Sequence, residues 1–120
     1  MVVVLSAIEE LAKALVEGDR KKAIEIARTT LEGAQIKDKW VELAWKGWLV
    51  GLERLSRSSL IAVLVNGISA EEARGFVKYL ESLAETFFAN VPQKAGFVKG
   101  YLKSWIDLLN LYASLKESKK

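Results

Sequence analysis

Two carboxylates one helical turn apart are the usual start of a divalent-cation site, and this chain carries such a pair in Glu81 and Glu85. That spacing holds Mg²⁺ when a second acidic helix faces it. No such second helix is evident in the sequence, so no metal or cofactor site is assigned. Arg20, Lys21 and Lys22 offer a different chemistry, contact with an anion or with the phosphates of a nucleic acid. Arg54 and Arg57 beside Ser56, Ser58 and Ser59 have the composition of a phosphate cradle, for which a polar helix junction is the ordinary explanation. Tyr79, Tyr101 and the tryptophans are the groups around which a helical pocket would hold a small molecule. The chain has no histidine and no cysteine. It therefore lacks the commonest general base, the commonest metal ligand and every thiol nucleophile. Glutamate and lysine remain able to do acid-base work. None falls into a catalytic arrangement, so no catalytic residue is assigned and a non-enzyme is expected.

The elements that must carry these groups are helices. At 120 residues, one domain is expected over residues 1–120, large enough for a real core. Hydrophobic residues make up 51%, and the mean hydropathy is positive. The longest uncharged stretch, residues 58–70, spans 13 positions and includes serines, Asn66 and Gly67. A membrane span takes about 20 apolar residues, so no membrane segment is expected. The apolar excess points instead to a wide core or to self-association. No basic leader precedes the first charge at Glu9, and a cytoplasmic location is expected. Abundant lysine and glutamate with few amides suit a heat-adapted, thermostable protein. The net charge is +3, with −2 over residues 67–92 and +4 over residues 93–120, weaker than the charge of a dedicated nucleic-acid binder.

The predicted architecture is all-α, a compact bundle of five to six helices around a central apolar, Trp-rich helix. That central helix runs from Asp38 to Leu55 and carries three of the four tryptophans. At about 100° per residue, Glu42, Lys46 and Glu53 form a narrow polar stripe. Ala44, Gly47 and Gly51 align within roughly 60° of arc, beside Trp48. Two glycines inside a helix cost about 0.8–1 kcal/mol each relative to alanine, so this strip calls for a close helix contact, within one chain or across a dimer.

Around this element, apolar spacing predicts a first helix ending near Glu17, starting either close to Met1 or at a Ser6 to Glu9 capping box. Gly18-Asp19 closes it and caps a second helix that runs to about Ala34. The run Leu60 to Val65 is helical up to Asn66-Gly67, either continuing the central helix through a kink or restarting at the serines. Ser69 and Glu72 form a capping box for a helix over Ala70 to Asn90, with Ala73, Phe76, Val77, Leu80, Leu83, Ala84, Phe87 and Phe88 inward. After Pro92, a last helix to about Leu115 carries a second small-residue strip, Gly96, Gly100 and Ser104. Lys99 and Lys103 stand on its rim, with Lys94, Lys116, Lys119 and Lys120 nearby.

Gly18-Asp19, Ala23-Ile24-Glu25 and Leu31-Glu32, followed by Trp40, Leu43 and Ala44, give residues 18–51 a look that resembles the tetratricopeptide repeat. The resemblance implies stacked helical hairpins with a peptide-binding concave face. It departs from the pattern at residues 7–14, which offer Ala7, Glu10, Leu11 and Ala14, and it does not return after Gly51.

The function expected from these residues is a non-enzymatic interaction or assembly module, self-associating as a homodimer; Ala44, Gly47, Trp48, Gly51, Gly96, Gly100 and Ser104 are the residues expected to serve helix packing within one chain or the dimer interface. A protein partner fits the same surface. The alternative is a nucleic-acid-binding accessory protein using Arg20, Lys21, Lys22, Lys99 and Lys103 on phosphates. A peptide-binding hairpin of tetratricopeptide type, or a small-molecule-binding bundle, is the third reading.

Overall fold

Gly18 sets the first corner of the chain. Its φ of 72° is one that side chains rarely adopt. It lets the Asp19 N–H reach the Ala14 carbonyl at 2.9 Å while the Gly18 N–H reaches Leu15 at 3.0 Å, a Schellman closure of helix α1, Val2–Val16. Asp19 then caps α2, Arg20–Gly33, its carboxylate accepting from the Lys22 N–H at 3.1 Å. A corner this short makes α1 and α2 an antiparallel hairpin. The computed structural model describes the backbone of residues 2–33, 36, 38–54, 60–90 and 98–118, and the side chains of these apart from residues 2–6 and 87–90. The α1 backbone is helical from Val2, so Ser6 does not open it.

Asp38 caps α3, Lys39–Arg54, accepting from the Trp40 N–H at 2.8 Å. The run after the serines is a separate helix, α4, Leu60–Asn66. Gly67, with φ 106°, ends it by donating to the Val63 and Leu64 carbonyls, both at 3.1 Å. The Ser69–Glu72 box forms in both directions: Ser69 Oγ accepts from the Glu72 N–H at 3.0 Å, and Glu72 Oε1 accepts from the Ser69 N–H at 3.2 Å. It starts α5, Ala70–Asn90. A π-helical turn, Val98–Leu102, leads into α6, Lys103–Ser118. Among the described residues, the architecture is an all-α bundle of six helices with no strand, and its extents are 38 × 33 × 28 Å.

α6 is the spine of the bundle, packing along α1 on one side and α5 on the other, while α2 bridges α1 and α3. The core is built from Leu11 and Leu15 of α1, Trp45, Trp48 and Leu52 of α3, Ile61 and Leu64 of α4, and Leu108, Leu109 and Tyr112 of α6. Trp48 stands edge-on to Trp45, with ring centroids 4.9 Å apart, and edge-on to Trp105 at 5.5 Å. The indole N–H groups of Trp45 and Trp48 are buried without a hydrogen-bond partner. Each such donor costs about 1–3 kcal/mol. Burying about 150–250 Å² of indole at about 25 cal/mol per Å² contributes roughly 4–6 kcal/mol, so both rings stay inside.

Tyr112 ties the spine to the α4–α5 elbow. Its hydroxyl donates to the Leu64 carbonyl at 2.9 Å and accepts from the Ile68 N–H at 3.2 Å. Arg74 of α5 pairs with Glu117 of α6. Together these contacts fix the angle between α4 and α5.

Two expectations change here. α3 is not enclosed on every side, because Leu43 and Val50 are each 47% exposed. Phe76, expected inward on α5, is half-exposed, while Ala73 and Val77 of the same helix are buried. The expectations for Ala34, Leu55, Ser56, Arg57, Ser58, Ser59, Pro92, Lys94, Gly96, Phe97, Lys119 and Lys120, and for the side chains of Phe87 and Phe88, lie outside the described residues.

Candidate functional site

Most of the residues expected to serve helix packing or a dimer interface pack within one chain. Ala44, Trp48 and Gly51 are buried. Ser104 is buried as well, its hydroxyl donating to the Gly100 carbonyl at 2.6 Å. Gly100 lies against the start of α3 so closely that a Cβ there would stand 2.5 Å from Trp40 Cβ and 2.9 Å from an Asp38 carboxylate oxygen. Gly100 therefore meets the first turn of α3.

Gly47 differs from its neighbours. It is exposed, and a Cβ built on it meets nothing within 4 Å. On one side of it stand Leu43 and Val50, so α3 presents an apolar stripe to solvent. Lys39 and Lys46 run along one border of that stripe, and Arg54 stands at its C-terminal end. Lys46 Nζ lies 3.3 Å from Glu42 Oε1.

A second apolar face lies between α4 and α5. Leu60 and Val63 from one helix and Gly75, Phe76, Tyr79 and Leu80 from the other line an open groove of about 780 Å³. Tyr79 is 65% exposed there. The charged side chain among the described lining residues is Glu72. Gly75, like Gly47, has nothing within 4 Å of where its Cβ would be. The sequence grouped Phe76 with the core and set Tyr79 with Tyr101 and the tryptophans around a pocket, so this groove was missed. The visible signal was a glycine in the middle of a helix, at Gly75, without a turn to explain it.

The basic residues are divided. Arg20 is half-buried, and its guanidinium is engaged within the chain. Its Nε donates to the Leu52 carbonyl and its Nη2 to the Glu53 carbonyl, each at 2.8 Å, closing the C-terminus of α3. This also accounts for a cation in the first turn of α2. The positive end of that helix disfavours it, and the negative end of α3 alongside compensates. Arg28 reaches the Glu53 carboxylate at 2.8 Å. Lys21 and Lys22 are exposed, and so are Lys99 and Lys103, the last 3.3 Å from Asp107. Lys116 holds its ammonium over the Tyr112 ring, 5.6 Å from the centroid. Glu81 and Glu85 are exposed. Among the described residues, no group of three or more acidic side chains is placed to hold a metal ion. Tyr101 is half-buried and does not join Tyr79 in the groove. Among the described residues, no helix is long and apolar enough to cross a membrane.

No family model, curated protein or solved structure matches this chain. The tetratricopeptide resemblance of residues 18–51 rests on those residues alone. Among the described residues, the bundle presents two exposed apolar faces, one convex along α3 and one concave between α4 and α5.

Proposed function

We propose that the chain is a non-enzymatic helical interaction module that assembles with itself. One observation carries this reading. Among the described residues, the large apolar side chains that stand exposed, Leu43, Val50, Phe76 and Tyr79, are concentrated on two faces, two on each. Scattered single exposures are ordinary on a protein surface, whereas clustered ones mark contact surfaces. The residue types agree, since neither histidine nor cysteine is present to do chemistry. Assembly is assigned to these two faces and not to the buried strips; among the described residues, Gly47 is the strip member that stays outside.

Sedimentation equilibrium over a micromolar concentration series tests this directly. The expected result is a mass of two or more chains that falls on dilution. A single-chain mass throughout, up to the highest soluble concentration, would refute self-assembly.

A further inference from the structure

Resting on that reading of self-assembly, we infer that the contact is between unlike faces. The α3 stripe of one copy, Leu43, Gly47 and Val50, seats in the α4–α5 groove of a second copy. Three features make the faces complementary. In shape, the stripe is the outward side of a helix and the groove is a trough between two helices. In close approach, each face includes a helical glycine with open space above it, Gly47 along the edge of the stripe and Gly75 along the edge of the groove. Two helix backbones can draw together there without a side chain between them. In charge, Lys39 and Arg54 give the stripe a positive border, Lys46 being shared with Glu42. Glu72 is the charged residue lining the groove. Stripe on stripe would set Lys39 and Arg54 against their own copies, and groove on groove would set Glu72 against Glu72. Like charges brought together at a contact disfavour that pairing.

Unlike faces have a consequence for assembly. If a two-fold axis lets each stripe enter the other copy's groove, the product is a closed dimer. Otherwise, head-to-tail contacts propagate into rings or longer assemblies.

The test is a mixing experiment with two full-length variants, Val50→Glu and Tyr79→Lys, each at an exposed position and each checked for folding by circular dichroism. Val50→Glu spoils the stripe and leaves the groove; Tyr79→Lys does the reverse. Each variant alone is expected to sediment as a monomer, with self-association weakened at least tenfold. An equimolar mixture is expected to recover a one-to-one pair, formed from the intact stripe of one variant and the intact groove of the other. If either variant fails to fold, Leu43→Gln and Phe76→Gln carry the same design. Three results would overturn the inference: Tyr79→Lys assembling like the wild type while Val50→Glu does not, both variants assembling like the wild type, or a mixture that stays monomeric. The first two leave self-assembly standing and remove only the pairing of unlike faces. A monomeric wild type removes both.

Discussion

The two helical glycines Gly100 and Gly47 respond in opposite directions to the same added methyl group. At Gly100, an alanine Cβ falls 2.5 Å from Trp40 Cβ and 2.9 Å from Asp38 Oδ1. Ordinary van der Waals contact begins near 3.4 Å, so relief needs a shift of nearly 1 Å. A Cβ is nearly as fixed as the backbone, and that shift must move the first turn of α3 away from the π-helical turn. Overpacking of this kind costs about 1–3 kcal/mol, and the helical gain from replacing glycine returns at most about 1 kcal/mol. Gly100→Ala is therefore expected to lose roughly 1–2 kcal/mol. At Gly47 nothing lies within 4 Å, and only the helical gain of about 0.8–1 kcal/mol applies. The assay is urea denaturation followed by far-ultraviolet circular dichroism, at a protein concentration low enough to keep the chain dissociated. The midpoint should fall for Gly100→Ala and rise for Gly47→Ala with the slope unchanged. A Gly100→Ala chain as stable as the wild type would refute the close packing of the π-helical turn on α3. A Gly47→Ala chain less stable in dilute solution would refute the open space at that position.

Other perturbations test the contacts that position the faces. Arg20→Ala removes two charge-assisted hydrogen bonds to the end of α3, partly open to water, and should cost about 1–2 kcal/mol in urea denaturation. Arg20→Lys recovers part of this, because an ammonium cannot reproduce the fork of the guanidinium. Tyr112→Phe strands the Ile68 N–H, while the Leu64 carbonyl keeps its bond from Gly67; a loss of about 1–3 kcal/mol is expected. Because Tyr112 fixes the α4–α5 elbow, amide exchange in that variant should speed up around residues 64–69 before it does in α1.

Local chemistry made much of the fold legible. The Gly18-Asp19 corner and the Ser69–Glu72 box need only residues within a turn of one another, and both form as their types and spacing dictate. The helical character of Leu60–Asn66 followed from the absence of any partner strand and from the Asn-Gly ending. The misreadings arose where a distant element decides the outcome. Ala44, Gly47 and Gly51 share an arc of the α3 wheel, yet the boundary of the core cuts across it, leaving Gly47 outside. Helical spacing gives relative angles and not the depth to which neighbours bury them. Arg20 read as one of three like cations because nothing in its own segment reveals that Leu52 and Glu53 end another helix within its reach. At the π-helical turn Val98–Leu102, Gly100 packs against Trp40 across 60 positions of sequence, a contact that its own segment does not reveal. The two exposed faces were foreshadowed only as an excess of apolar residues whose location composition does not fix.

The packing of α1 along α6 sets an order on synthesis. The buried face of α1, which includes Ile8, Leu11 and Leu15, rests on the helix that is made after all the others. At about 5–20 residues per second, roughly 5–20 s separate the emergence of α1 from that of α6. During that interval α1 and α2 can close as a hairpin through the Gly18 corner, but part of the apolar face of α1 has no cover. The nascent chain thus offers a chaperone a transient site that the finished bundle hides, and the arrival of α6 is the event that ends its exposure.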